Sequence, residues 1–222
     1  MVDVPEQSIE DDLRNQVEAV AAAGGQVRIV GNDSKAFYGR PVAAVPLEVA
    51  LHSGVIDYDP AELVITLRSG CRVDEIAGLL RENRQMFAFE PPDFDGQASV
   101  GGMVASGLAG PRRAYAGAVR DFVLGVKMID GRGDLQRFGG RVIKNVAGFD
   151  VARLMVGAQG TLGVLLEVSL RVVPIPETEV TLAFEHPDAD THIHWINELA
   201  GRPLPISASM WCGGVSRIRL SG

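Results

Sequence analysis

The chain has 222 residues, 46% of them hydrophobic, and a formal net charge of -7. This is enough apolar material for the core of one large or two smaller domains, so a disordered chain is excluded. The acidic balance argues against a nucleic-acid-binding protein, since that affinity comes mainly from clustered Lys and Arg. Cys71 and Cys212 are too far apart for a disulfide framework or CxxC metal spacing, and we expect both to be small packed residues.

The N-terminal residues are acidic and lack the basic and apolar regions of a secretory signal. The longest apolar run, 151–173, contains Arg153, Gln159, Glu167 and Arg171, so we expect no membrane-spanning helix. These features and the sparse cysteines predict a cytoplasmic protein, in which any membrane contact comes through a partner.

The first part of the chain predicts a helix, a strand, a polar turn, a strand and a second helix, at 9–21, 27–30, 31–35, 63–68 and 73–82. Ser8 and Asp11 resemble a capping box at the start of the first helix, and Gly24 and Gly25 supply its stop.

The next part predicts a hairpin of strands around the turn 130–133, a short helix capped by Asp150 and a long alternating strand over 164–172. Pro174 and Pro176 interrupt that strand, and a strand, a helix and two strands follow, at 178–184, 189–200, 206–211 and 215–220. Hairpins with segregated helices predict the α+β class.

The segment 97–117, QASVGGMVASGLAGPRRAYAG, is rich in glycine and other small residues. Backbone amides in such a segment approach a ligand closely, and a helix that opens at Gly101 and Gly102 would favour a diphosphate at its N-terminus. The alternative is a flexible loop, or a helix packed tightly through Gly102, Ser106 and Gly110.

Neither GxGxxG nor GxxxxGK[ST] occurs in the chain, which argues against a standard Rossmann or P-loop enzyme. Glycine-bearing turns occur instead around Gly31, at Gly101 and Gly102, and at 160–163. Several turns around one extended ligand would suit a flavin dinucleotide, which joins a diphosphate to a broad apolar ring.

Four ordered blocks resemble the flavoproteins that share the FAD-binding fold of vanillyl-alcohol oxidase and p-cresol methylhydroxylase (PCMH-type), and most closely the FAD-binding E subunits of glycolate oxidases. The blocks are 27–41, 90–113, 120–133 and 142–164. The resemblance implies a PCMH-type FAD-binding domain over 1–173, with lobes at about 1–92 and 93–173. It also implies that 177–222 is the truncated start of an α+β cap domain.

The resemblance places a first phosphate loop at Gly31 to Lys35 and a second at Ser99 to Met103. It further implies noncovalent FAD, because no histidine lies in the first loop to attach it. The implied cofactor-binding residues are Gly31, Asn32, Asp33, Ser34, Lys35, Pro92, Ser99, Val100, Gly101, Gly102, Met103, Ser106, Gly107, Gly160, Thr161, Gly163 and Val164. Lys144 and Asn145 precede a segment that the resemblance places beside the core of the FAD domain.

Several residues keep more than one interpretation. Lys35 either neutralises phosphate or is a solvated loop lysine, and Asp33 suits a diphosphate site only if it caps a turn or points outward. Arg112 and Arg113 meet phosphate, a partner subunit or solvent. His192 and His194 do not share a helix face, so we expect a surface or interface role and no metal pair.

In function, the resemblance implies an FAD-dependent oxidoreductase of glycolate catabolism, which oxidises a small 2-hydroxy acid to a 2-oxo acid. Electrons would pass to partner subunits of the complex, a companion flavin subunit and an iron–sulfur subunit. Catalytic side chains cannot be named from the sequence. The alternatives are a noncatalytic FAD-binding or assembly subunit, and a flavin oxidase of another alcohol or sugar acid.

Overall fold

The computed structural model describes residues 6–140 and 149–222 and confirms the predicted α+β class. The helices are α1 (Glu6–Ala22), α2 (Val73–Glu82), α3 (Val100–Ser106), α4 (Arg113–Ala116), α5 (Val151–Leu154) and α6 (Ala189–Ala200), with a 3₁₀ turn at Val119–Asp121. The strands are β1 (Val27–Val30), β2 (Val45–Glu48), β3 (Val55–Asp59), β4 (Val64–Arg68), β5 (Gln85–Met86), β6 (Val123–Ile129), β7 (Leu135–Gly139), β8 (Val164–Arg171), β9 (Val173–Pro174), β10 (Glu179–Glu185), β11 (Ile206–Cys212) and β12 (Val215–Ser221).

A five-stranded antiparallel sheet, in the order β3-β4-β8-β6-β7, forms the centre of the molecule. Its middle strand, β8, is buried along most of its length. The apolar positions of the predicted alternation are among the buried ones. The main core packs α2, α3 and the stacked rings of Phe87 and Phe89 against this sheet. Because β4 pairs with β8, the sheet draws strands from both sides of the predicted lobe division at residue 92, which stays a prediction.

A second apolar cluster joins α1 to the parallel pair β1–β2 and to the strand ends Ile129 and Val164. Helix α1 ends as predicted: Gly24 has a φ of 67°, and the Gly25 amide donates to the Val20 carbonyl at 2.9 Å. The predicted capping box is wrong, because the helix already includes Glu6 and places Ser8 within its first turn.

The chain leaves the central sheet at the predicted prolines. The strand β9 pairs with β5 and ends at Pro174, after which β10, β12 and β11 form a separate antiparallel sheet in that order, accompanied by α6. All four predicted elements after Pro176 are confirmed. The domain limits themselves, 1–173 and 177–222, stay a prediction.

Two expectations about single residues are wrong. His192 is buried, and its Nδ1 lies 2.9 Å from Ser216 Oγ, which also contacts His186 Nδ1 at 2.7 Å. Its burial lowers its pKa, and the nearby His186 adds to this effect. Cys71 is packed as expected, whereas Cys212 is exposed on the last sheet.

A cluster of opposite charges fastens the last sheet to the rest of the molecule. The Arg112 guanidinium is buried and contacts Glu179 at 2.7 Å and Glu90 at 3.4 Å. Arg219 contacts the same two carboxylates at 3.6 and 2.7 Å. The solvated interpretation of Arg112 is therefore wrong, because its side chain spans two parts of the fold.

None of the helices formed by residues 6–140 and 149–222 has the length and apolar character needed to span a membrane.

Replacement of Arg112 by methionine removes one cation from this cluster and leaves Glu90 and Glu179 with Arg219 alone. We expect the free energy of unfolding to fall by about 2–3 kcal/mol, since hydrogen bonds to charged groups are worth about 1.5–3 kcal/mol each and the site is partly screened. Urea unfolding measures this loss. Arg113→Met is the matched control, because Arg113 is exposed, and equal losses in the two variants would contradict the assignment.

Stability should also depend on pH through His52. Its side chain is buried, its nitrogens have no hydrogen-bond partner among the described residues, and Glu10 approaches Nε2 only to 3.7 Å. Burial lowers its pKa more than the facing carboxylates of Glu10 and Glu167 raise it, with Arg68 and Lys127 also opposing protonation.

A folded-state pKa below the ordinary value of about 6.5 stabilises the fold above that pH and loses this contribution as pH falls. We expect the unfolding free energy to decrease between pH 7.5 and 5, and His52→Gln to reduce that slope. Urea midpoints at each pH test this, with His194→Gln, an exposed histidine, as the control. A slope in His52→Gln equal to that of the unmodified chain would contradict the prediction.

Candidate cofactor-binding site

The loop after β1 and the start of α3 lie against each other. A methyl group on Gly31 would lie 2.6 Å from Ser99 Oγ, and one on Gly102 would lie 3.0 Å from the same oxygen and 3.6 Å from Lys35 Nζ. The first two predicted phosphate loops therefore share one crevice, and Lys35 projects into the space beside Gly102.

The loop 31–35 presents unused donors. Among the described residues, none accepts a hydrogen bond from the backbone amides of 31–35. The positive φ of 54° at Asp33 turns the backbone within this run. Successive free amides in such a turn form a concave anion-binding surface.

Asp33 meets the condition that a diphosphate site imposes on it. Its carboxylate is exposed and accepts a hydrogen bond from the Arg28 guanidinium at 3.3 Å, while its carbonyl closes a turn with the Ala36 amide. The carboxylate is thus engaged by a cation on β1, and its charge is partly offset.

Lys35 is the cation of this crevice. Its side chain is half-buried, and this burial lowers its pKa. Nζ donates to Ser34 Oγ at 3.2 Å and lies 5.0 Å from the centre of the Phe94 ring. It pairs with no carboxylate among the residues that the structure describes, so a bound anion would supply the missing counter-charge. The fully solvated interpretation is wrong.

The N-terminus of α3 differs from the expectation. The amides of Val100 and Gly101 donate to the carbonyls of Cys71 and Ser69 at 2.8 and 2.7 Å. The Gly102 amide donates to Ser99 Oγ at 3.2 Å, so Ser99 is the N-cap. Free amides for a phosphate therefore come from the loop 31–35, and α3 contributes mainly a wall.

The glycines of α3 have different roles. A methyl group on Gly101 would lie 2.8 Å from Ser69 Cβ, so this glycine is required by packing against the end of β4. Its predicted role in close approach to phosphate stays a prediction. Gly102 instead borders the crevice between Ser99 and Lys35.

The third turn lies beside the same elements. A methyl group on Gly160 would lie 3.1 Å from Ile29 Cδ1 on β1, and the Gln159 amide donates to the Ala105 carbonyl at 2.9 Å. Gly107 caps α3 with a φ of 64° and packs on Gly157. The predicted turns are therefore gathered along β1 and α3.

The remaining predicted residues are placed less favourably for direct contact through side chains. Val100, Met103 and Val164 are buried in the apolar clusters, so only their backbone is available to a ligand. Gly163 packs against Ile129 on β6. Ser106 and Thr161 bond to nearby carbonyls, Met103 at 3.2 Å and Ala158 at 2.6 Å.

Pro92 is half-buried, and no polar contact of the described residues assigns it a role. Lys144 and Asn145 lie outside the described residues.

Sequence reasoning missed the aromatic rim of the crevice. Phe37 is 70% exposed and packs on Phe94 with 5.6 Å between ring centres, beside Lys35. The signal was present, since an aromatic residue occurs close to each of the first two glycine-bearing turns.

The family comparison agrees with this geometry. Residues 6–139 match the family described as FAD binding domain. The chain belongs to this family. FAD is accordingly its cofactor, and the run of free amides, the unpaired Lys35 and the space at Gly102 fit a diphosphate.

Relatives by sequence and by structure are consistent with the assignment. The chain is 46% identical over 210 residues to glycolate oxidase subunit GlcE of Escherichia coli, which covers 95% of this chain and 60% of that protein. It is 31% identical over 147 residues to glycolate oxidase subunit GlcD of Bacillus subtilis, covering 65% of this chain and 31% of that one. The chain thus spans about 60% of the length of GlcE.

A solved structure of alkyldihydroxyacetonephosphate synthase shares the fold. Its TM-score is 0.74 with 14% sequence identity, and the match covers 96% of this chain and 45% of that chain.

Gly102→Val should remove retained FAD while the fold persists. The added side chain starts between Ser99 Oγ and Lys35 Nζ and fills the space that the diphosphate needs. We expect at least a tenfold loss of flavin per chain after gel filtration, measured by absorbance, with little change in far-UV circular dichroism. Gly78→Ala is the control, because a methyl group there meets nothing within 4 Å. Flavin content unchanged in Gly102→Val would show that the phosphate lies elsewhere.

Proposed function

We propose that this chain is the FAD-binding subunit of a complex that oxidises glycolate, or a closely related 2-hydroxy acid, to the 2-oxo acid. The observation that supports this most strongly is the 46% identity to GlcE over 95% of the chain. The crevice between the loop 31–35 and α3 adds a physical site for the cofactor. The match to GlcD supports a companion flavin subunit, and we extend the proposal to an iron–sulfur subunit as the next electron acceptor.

The proposed roles of the residues follow from their chemistry. The amides of 31–35 and the ammonium of Lys35 hold the diphosphate, and Gly102 leaves the space for it. Backbone at Gly107, Gly160 and Thr161 borders the rest of the cofactor. Ser99 acts by capping α3 and fixing the wall of the crevice.

When bound, FAD accepts the hydride equivalent that leaves the C2 carbon of the hydroxy acid. The chain's own residues bind the cofactor, offset its negative charge and shield one side of it with Phe37 and Phe94. We assign no residue as the base that removes the hydroxyl proton. The proposal keeps 177–222 as the start of a cap domain over the cofactor, and any membrane association would come through partners.

The test begins with the absorption spectrum of the isolated chain and continues with anaerobic addition of glycolate, first to the chain alone and then with its partner subunits. We expect a bound oxidised flavin, and bleaching by glycolate at least in the assembled complex. Lys35→Gln should weaken FAD binding about tenfold, as expected for loss of one charge-assisted contact, whereas Arg202→Gln, at an exposed position in the turn after α6, should not.

Each other outcome rejects a defined part of the proposal. Bound flavin that glycolate leaves oxidised in every setting would indicate a noncatalytic FAD-binding or assembly subunit. Bleaching by another alcohol or a sugar acid, and not by glycolate, would indicate an oxidase with a different substrate. A chain without flavin that cannot be loaded with FAD would reject the cofactor assignment.

A further inference from the structure

A second site lies at the opposite end of the central sheet from the cofactor crevice. A cavity of about 370 Å³ opens where β8 ends, beside α4 and the β5–β9 pair. Its apolar walls include Leu63, Phe122 and Val173. Arg171, which also lines it, lies at the last position of β8, roughly 23 Å from Val164 at about 3.3 Å per residue, so this cavity is separate from the phosphate crevice.

Arg171 brings a charge into the cavity that the described residues do not neutralise. Its guanidinium carbon lies 4.8 Å from the centre of the Phe122 ring, and its Nε is buried without a hydrogen-bond partner among residues 6–140 and 149–222. No carboxylate of these residues forms an ion pair with it. Since Arg171 as a whole is only half-buried, the accessible part of its guanidinium offers a cation without an acidic partner to an anionic ligand in the cavity.

The second arginine that lines the cavity differs from Arg171 because it has acidic partners. Arg112 is held by Glu90 and Glu179, so its charge is offset within the protein. Among residues 6–140 and 149–222, those that line the cavity include these two arginines and no Asp or Glu. The net electrostatic character is therefore positive, and it comes mainly from Arg171.

We propose that this cavity binds a small monocarboxylate with a short hydrocarbon tail. The carboxylate pairs with the Arg171 guanidinium, whose planar fork matches the two oxygens, and the tail packs on the apolar walls. The volume lies near the lower end of the range for small-molecule sites, which suits an acid of about four to eight carbons. The site goes beyond the proposed function and does not depend on it.

Calorimetric titration of the FAD-containing chain with hexanoate tests the proposal. We expect saturable one-to-one binding in the unmodified chain, binding weakened at least tenfold in Arg171→Gln, and unchanged binding in Arg202→Gln, the exposed control. Hexan-1-ol, which has a similar tail without the charge, should bind at least tenfold more weakly than hexanoate. Acetate, which has the charge without the tail, should also bind more weakly.

Ala116→Leu provides a second variant that leaves Arg171 in place. Ala116 lines the cavity from α4, and the larger side chain should occupy the space and weaken hexanoate binding while flavin absorbance stays unchanged. Three results would each overturn the proposal: no saturable binding in the unmodified chain, equal affinity in Arg171→Gln, or equal affinity for hexan-1-ol. If Arg171→Gln does not fold, Ala116→Leu and the two comparison ligands still decide the outcome.

Discussion

The cofactor site depends on the close approach of two backbone segments, the loop after β1 and the start of α3. That approach needs glycine at Gly31, where a methyl group would strike Ser99 Oγ, and at Gly101, where it would strike Ser69. Ser99 in turn caps α3 through its side chain, so the position of one hydroxyl is coupled to both segments. The crevice is therefore set by packing before any ligand is bound, which is how a binding site reduces the ordering that binding requires.

Three cations illustrate how context decides the role of a side chain. Lys35 is half-buried with an aromatic neighbour and no acidic partner among the described residues. Arg112 is buried within a cluster in which two carboxylates face two arginines. Arg171 keeps a buried donor without an acceptor beside a cavity. Only the second is complete within the described protein, so the first and third are the positions at which bound anions are expected.

Much of the fold was predictable because its signals are local. The apolar spacing of α2 predicted the bounds that the structure shows, and alternation predicted β8. Strands β2 and β3 were missed because β2 is mostly exposed, β3 is at most half-buried, and neither shows a regular apolar alternation. The turns that form the crevice were recognisable from glycine. The hydrogen bonds of the α3 amides could not be predicted in this way, since their acceptors at Ser69 and Cys71 lie about one helix and one loop earlier in the chain. For the same reason, local sequence patterns could not predict the burial of His192 and Arg112, because it depends on partners that are distant in the chain.

The charge cluster at Arg112 has a consequence for how the polypeptide can be divided. The prolines at 174 and 176 look like a natural place to cut, but Glu179 and Arg219 lie beyond them and complete the partners of Arg112 and Glu90. An excised fragment that stops at the prolines would retain Glu90 to face Arg112, but would lose one acid and one base together. The charge balance at the cut face would be preserved, but the hydrogen bonds that hold the Arg112 side chain would fall from three to one, since those to Glu179 and Ser221 would both be lost. A fragment that keeps this charge cluster intact should therefore extend through residue 221 and should not end at the break in the strand.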